Sequence, residues 1–249
     1  MITNQETNSH RKIARIVGML FLAGMIIGMA GHILMMVILA APDPLANVAA
    51  NSMLLAVGAL LMLLPCAWDA AHGVVMFPVL KKHSEGLAVG YLAFRIIDAV
   101  FLALSVVFVL LQITLSSEYV KAGATGTSNL QALSTLSVEG NLYAYNIAMS
   151  FLGVAGLILC YTFYRTKLVP RFVAGWGLVG YAVILTGCVL EILGFGLTSM
   201  HVIPGGLWEV FIGVWLITKG FSSSAKLSQP ASTGNSAEQR VPNFGPAKA

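Results

Sequence analysis

Five ionisable side chains lie inside long apolar stretches of the sequence, at Asp69, His72, Arg95, Asp98 and Glu209. Carboxylates, an imidazole and a guanidinium can form ion pairs, bind a polar solute or exchange protons. In a membrane helix such a charge costs about 2.5–3.5 kcal/mol to insert, so these residues usually pair with one another or line a polar path. They are therefore the strongest functional signal in this chain.

The five residues fall at one depth if the apolar stretches are membrane helices. With a helical rise of ~1.5 Å per residue, each lies roughly 10–16 Å from the basic end of its own helix. Asp69 and His72 are three residues apart and share a helix face, as do Arg95 and Asp98. The spacing predicts a buried ion-pair network with Arg95 between Asp98 and either Glu209 or Asp69. Such a network either holds the helices together or forms a polar site.

A second set of polar residues is expected near the opposite ends of the helices, at His32, Glu139, Glu191 and His201. Two histidines and two carboxylates could bind zinc if they converged. No HExxH or HxxxH spacing is present, so these four are candidate ligands only and no metal or other cofactor is predicted.

The composition indicates the class of protein that must position these groups. Of 249 residues, 57% are hydrophobic and 10% are charged, whereas soluble domains carry roughly 25% charged residues. The mean hydropathy is +0.84. We therefore predict an all-α polytopic membrane protein, in direct contact with the lipid bilayer. The net charge of +4 resides in short clusters beside apolar stretches rather than in a basic stripe, so no nucleic-acid partner is expected.

Six apolar stretches are long enough to cross a bilayer, which takes ~20 residues in a helix. They are 16–39, 53–80, 87–111, 142–163, 173–193 and a sixth that ends at Lys219. The polar stretch 112–139 is predicted to be an outer loop, with a short surface helix at most.

The flanking segments complete the predicted organisation. Residues 1–10 are expected to be a disordered head, 11–221 the six-helix transmembrane domain, and 222–249 a disordered tail rich in Ser, Pro, Gly and Asn. All lysines and arginines other than Arg95 and Lys121 fall on one side of the predicted spans. The positive-inside rule then predicts that both termini are cytoplasmic.

A glycine motif in the fifth apolar stretch has two possible interpretations. Residues 175–180 match GxGxxG, but a dinucleotide site needs a preceding strand, and here the motif opens a membrane helix. Small residues allow membrane helices to approach closely, so packing is the preferred interpretation, as for Gly24 with Gly28 and Gly153 with Gly156. The same small-residue faces could form a homo-oligomer. The cysteines, Cys66, Cys160 and Cys188, contain no CxxC pair and are expected to be buried.

Three sequence stretches together resemble a known family. They are FPVLKKHSEGLAVGYLAFRIID at 77–98, YRTKLVPRFVAGWGLVG at 164–180 and EVFIGVWLITKGF at 209–221. In this order they resemble the bacterial domain-of-unknown-function family DUF4386, across about residues 11–221. The resemblance implies a six-span protein of the bacterial cytoplasmic membrane with no established activity. The family motifs include the positions of Arg95, Asp98, Glu209 and Lys219, whereas Asp69 and His72 lie outside them.

The preferred hypothesis is a non-enzymatic membrane protein. Its network of Arg95, Asp98 and Glu209, with Asp69 and His72 at the same depth, holds the bundle and binds or passes a small polar solute or a proton.

Two alternatives remain open. An intramembrane metal-dependent hydrolase acting on lipid would need His72, or His32 with His201, beside carboxylates and an open coordination position. A regulatory or assembly partner of another membrane protein would use the small-residue helix faces. The sequence does not identify a substrate for any of these functions.

Overall fold

The computed structural model describes residues 2–123, 127–197 and 199–222, and within them the chain is helical with no strand. The α-helices are α1 (Ile2–Leu39), α2 (Pro44–Ala50), α3 (Ser52–Lys81), α4 (Glu85–Ala122), α5 (Thr127–Thr166), α6 (Arg171–Ile192) and α7 (Ile203–Thr218), and a 3-10 turn covers Ser199–Val202. The predicted all-α class is confirmed.

Six of these helices, α1 and α3 to α7, are long and apolar enough to cross a membrane. Large apolar side chains on their outer faces, such as Ile26, Val100 and Val179, are 60–68% exposed. Exposed apolar surface of this extent suits contact with lipid. The prediction of a six-span multi-pass membrane protein is therefore confirmed, and the cytoplasmic placement of the termini stays a prediction.

The six long helices form a closed ring in which each packs against its neighbours in the order α1, α3, α4, α5, α6, α7, and α7 returns to α1. The largest fully buried side chains include Trp208, Tyr91, Tyr181 and Phe163, which lie in one core cluster. The polar residues predicted at the helix midpoints therefore meet a core of aromatic rings.

The predicted outer loop at 112–139 is wrong. Helix α4 continues to Ala122 and α5 begins at Thr127, so the stretch forms the far ends of two long packed helices. Polar residues that suggested a loop, such as Gln112 and Ser134, are buried between these helices and bond to each other. Because their hydrogen bonds are made across the interface, polarity here does not indicate exposure to solvent.

Helix α2 was not predicted, although its start carries an ordinary capping signal. Asp43 accepts a hydrogen bond from the Ala46 N–H at 3.1 Å, and Pro44 occupies the first helical turn. Tyr119 near the end of α4 donates to the second carboxylate oxygen of Asp43 at 3.0 Å. This contact attaches the α1–α3 connection to α4.

The N-terminal end of the chain differs from its predicted structure. Helix α1 already includes residues 2–10, where the sequence predicts a disordered head. A helix that satisfies its own backbone hydrogen bonds can extend beyond the apolar stretch without a partner. The predicted tail lies outside the described residues from 223 onward, and the division into head, domain and tail stays a prediction.

Candidate functional site

Arg95 on α4 pairs with two carboxylates, Asp98 on its own helix and Asp69 on α3. Its side chain is 6% exposed, its Nη1 donates to Asp98 Oδ2 at 3.2 Å, and its Nη2 forms an ion pair with Asp69. Its Nε also donates to the backbone carbonyl of Asp69 at 3.3 Å. Gly73 lies one helical turn after Asp69, and a Cβ there would lie 3.1 Å from the Arg95 Cβ. The absence of a side chain at Gly73 therefore lets α3 and α4 approach closely beside the ion pair. The sequence-predicted pairing of Arg95 with Asp98 and Asp69 is the one the structure brings together.

The two carboxylates of this group differ in their surroundings. The side chain of Asp98 is fully buried, and its Oδ1 has no hydrogen-bond partner among the residues that the structure describes. The side chain of Asp69 is 24% exposed. Asp69 is therefore the more accessible of the two carboxylates, whereas Asp98 is enclosed.

His72 pairs with a tyrosine rather than with an acid. Its Nδ1 lies 2.5 Å from the hydroxyl of Tyr91, and its ring packs edge-on against Phe21 with the centroids 4.4 Å apart. The residue is 2% exposed, and its Nε2 has no hydrogen-bond partner within the described part of the chain. The ring is thus held in place on one side and has a free nitrogen on the other.

Glu209 on α7 is half-buried, and its carboxylate accepts a hydrogen bond from the hydroxyl of Tyr181 on α6 at 2.8 Å. Within the described residues no ion pair joins it to Arg95, so of the two predicted arrangements the one with Asp69 is present. Contacts among aromatic rings link Glu209 to the other residues, from Tyr181 through Trp208 and Phe21 to His72, and on this basis we place it in the same group. We call this group the central cluster: Asp69, His72, Tyr91, Arg95, Asp98, Tyr181 and Glu209.

Aromatic rings connect the two halves of the central cluster. Trp208 packs edge-on against Tyr181 with the centroids 5.4 Å apart and against Phe21 at 6.1 Å, and its Nε1 donates to the Val173 carbonyl at 2.7 Å. Phe21 in turn contacts His72. Tyr91, Tyr181 and Trp208 were not identified from sequence as site residues, because an aromatic residue in an apolar stretch carries no charge signal.

Glycines position these rings. A Cβ on Gly177 would lie 2.6 Å from Trp208 and 2.5 Å from the Sγ of Cys160, and one on Gly156 would lie 2.3 Å from the Tyr181 ring. A Cβ on Gly180 would lie 3.0 Å from the Gly205 Cα. These contacts favour the packing interpretation of the 175–180 motif. All three cysteines are free and buried.

A line of buried polar side chains runs from the central cluster along the α4–α5 interface. Ser105 and Gln112 follow Asp98 at intervals of two helical turns on the same face of α4. From α5, Asn141 donates to the Ser105 carbonyl at 2.8 Å and Ser137 donates to the Phe108 carbonyl at 2.6 Å. Gln112 and Ser134 exchange hydrogen bonds of 2.8 and 2.9 Å. We call these residues the polar seam: Ser105, Gln112, Ser134, Ser137 and Asn141.

The four candidate metal ligands are not brought together. His32 and Glu139 are exposed on α1 and α5, and Glu191 is half-buried on α6. His201 Nε2 lies 3.4 Å from the Cys188 Sγ. In the part of the chain that the structure describes, no three His, Cys, Asp or Glu side chains converge as a metal site would require.

The model of the family described as Domain of unknown function (DUF4386) matches residues 16–220. The chain belongs to this family. The resemblance drawn from the three motifs is thereby confirmed, and the DUF4386 match covers the six long helices except for the first part of α1. Comparison with curated proteins and with solved structures gives no match.

The balance of charge is the main electrostatic feature of this DUF4386 bundle. The central cluster contains three carboxyl groups, at Asp69, Asp98 and Glu209, and one guanidinium, at Arg95. Two of the carboxylates share that guanidinium, and the third is bonded to a neutral phenol. If all three carboxyl groups were ionised and His72 and the tyrosines were neutral, the cluster would carry a net charge of minus two.

Proposed function

We propose that this chain is a non-enzymatic protein of the bacterial cytoplasmic membrane that binds protons at its central cluster and passes them along the polar seam. The observation that carries the proposal is the excess of carboxyl groups over cations around Arg95. Both termini would lie in the cytoplasm, as the distribution of lysine and arginine indicates.

Protons suit this excess for an electrostatic reason. An ionised carboxylate in a medium of low dielectric constant is costly unless a cation or hydrogen bonds compensate it, and protonation removes the charge. Asp98 is fully enclosed and has one oxygen without a partner, while Arg95 is already shared with Asp69. A proton on one of these carboxyls would leave Arg95 balanced by a single charge.

The partial exposure of the central cluster supports exchange of protons with its surroundings rather than permanent protonation of its carboxyl groups. Asp69 is 24% exposed, so a proton can enter the cluster there, and Asp69 and Asp98 then compete for the single charge of Arg95. Residues that carry protons through membranes are typically buried acids and histidines at helix midpoints.

The polar seam extends the proposed proton path from the central cluster toward the C-terminal end of α4 and the N-terminal end of α5. Ser105 lies two helical turns from Asp98 on α4, and its carbonyl accepts a hydrogen bond from Asn141 of α5. From there hydroxyl and amide groups recur at about every turn, through Ser137 to Gln112. Side chains of this kind can hold a line of water molecules, along which a proton can move.

Proton flux into liposomes tests the proposal. Purified protein is reconstituted with a pH-sensitive dye inside, and a potassium diffusion potential is imposed with valinomycin. We expect proteoliposomes to change internal pH faster than protein-free liposomes, and Asp98→Asn and Glu209→Gln to reduce the rate to the protein-free leak.

The control is Glu139→Gln, which removes one carboxylate from an exposed position on α5 and should retain the wild-type rate. Size-exclusion profiles in detergent establish that each variant folds. A wild-type rate no higher than that of protein-free liposomes, or variants as fast as wild type, would refute proton passage.

A further inference from the structure

A pocket of about 340 Å³ lies at the end of the bundle that carries the basic loops. It is formed where the α5–α6 connection meets the end of α7, and its charged lining consists of Lys167, Arg171 and Lys219. The indole of Trp215 forms part of the apolar wall. This pocket is separate from the central cluster and contributes nothing to the proton path proposed above.

The three cations of this basic pocket have no acidic partner. Among the residues that the structure describes, no carboxylate pairs with any of them, and all three are exposed. Arg171 packs over the ring of Tyr164 at 5.5 Å, a contact that orients the guanidinium without using its N–H groups. The pocket therefore concentrates positive charge and hydrogen-bond donors around one cavity.

The backbone around the pocket is held in an uncommon conformation. Lys167 has a φ of 56°, in the left-handed region that favours glycine, and Gly220 has a φ of 74°. The Ser222 N–H donates to the Leu168 carbonyl at 2.8 Å, which ties the chain after α7 to the α5–α6 connection. A non-glycine residue in this region costs of order 1 kcal/mol and is often found at a binding site.

We infer that the basic pocket binds the phosphate group of an anionic phospholipid. Three cations around one cavity can pair with and donate hydrogen bonds to the oxygens of a phosphate group. Helix α6 begins at Arg171, so the positive end of its dipole lies at the same place.

The position of the pocket favours a lipid over a soluble anion. It lies at the ends of membrane helices, where headgroups are located, and Trp215 offers the amphipathic ring that is enriched at that level. Basic pockets between membrane helices are known to bind anionic headgroups.

Native mass spectrometry of the full chain in detergent tests the inference. The probes are phosphatidylglycerol, phosphatidylcholine and inorganic phosphate, each added at the same concentration. We expect phosphatidylglycerol to bind in preference to phosphatidylcholine, and inorganic phosphate neither to bind nor to compete.

Lys219→Gln and Lys167→Gly should each weaken phosphatidylglycerol binding roughly fivefold, since each cation near a membrane surface contributes about 1 kcal/mol. Lys167→Gly is the more informative variant, because glycine relieves the positive φ and so removes the charge without straining the fold. The matched control is Arg165→Gln, which removes a cation from the same end of the bundle but not from the pocket.

Three results would overturn the inference. They are equal binding of the two lipids, a loss in Arg165→Gln as large as in the pocket variants, or displacement of phosphatidylglycerol by inorganic phosphate. The last would assign the pocket to a soluble phosphate instead of a lipid.

Discussion

The hydroxyl of Tyr181 donates a hydrogen bond of 2.8 Å to the carboxylate of Glu209, so a phenol and not a cation holds the third acid of the central cluster. Arg95 is committed to Asp69 and Asp98 on the other side of the bundle. This division leaves one guanidinium to balance three carboxyl groups. The proposed proton binding follows from that arrangement.

The Tyr181–Glu209 bond can be measured with a double-mutant cycle. Tyr181→Phe and Glu209→Leu each remove one partner of the bond, and hydrogen bonds between membrane helices contribute about 0.6–1.7 kcal/mol. We expect a coupling energy in that range from thermal or denaturant unfolding in detergent. Tyr161→Phe, at an exposed tyrosine of α5, is the control and should leave stability unchanged. A coupling energy of zero would show that the two groups act independently.

Arg95→Ala should destabilise the protein by about 3–5 kcal/mol, because it leaves the buried Asp98 and its neighbour Asp69 without a cation. Adding Asp69→Asn to that variant should restore part of the loss, since one stranded carboxylate is then neutral. Unfolding in detergent and abundance in membranes measure both effects. Arg165→Ala, at an exposed position, provides the comparison, and equal stability of the two arginine variants would contradict the role of Arg95.

Much of this architecture could be predicted from the sequence, for specific physical reasons. The six spans follow from apolar length, and the Asp69–Arg95–Asp98 group follows from the cost of charge in a membrane combined with common helix depth. The hydrogen bond between Tyr181 and Glu209 could not be predicted from the sequence. Tyr181 lies in an apolar stretch, and the register of α6 against α7 depends on contacts such as Gly180 with Gly205.

The polar seam shows a second limit of sequence reasoning. Gln112, Ser134 and Ser137 have the composition of a loop, yet their hydrogen bonds are satisfied between two helices. Polarity alone does not distinguish water from a neighbouring helix as the partner. Helix α2 was missed for a different reason, since seven residues carry too little periodicity to identify a helix.

Two positions of the glycine motif should respond differently to the same change. Gly177→Ala should destabilise the protein by about 1–3 kcal/mol, because the new Cβ would lie 2.5 Å from Cys160 and 2.6 Å from Trp208. Gly175→Ala meets nothing within 4 Å and should leave the melting temperature unchanged or slightly higher. Melting curves in detergent compare the pair. Equal effects at the two positions would argue against helix packing as the role of the motif.

Gln112→Leu tests the polar seam without touching the central cluster. It removes both hydrogen bonds with Ser134 and interrupts the line of polar groups. We expect at least a several-fold slower proton flux in liposomes, with a loss of stability near 1 kcal/mol. Gln131→Leu makes the same replacement at an exposed position of α5 and should be silent in both assays. An unchanged flux in Gln112→Leu would exclude the seam as the path.

The most direct measurement is the infrared carbonyl band of protonated carboxylic acids, recorded near neutral pH on protein reconstituted in lipid. We expect this band in the wild type, a weaker band in Asp98→Asn and in Glu209→Gln, and no band in the double variant. Glu139→Gln should retain the band at full intensity. A wild-type spectrum without the band, or a double variant that keeps it, would contradict the claim that the central cluster binds protons.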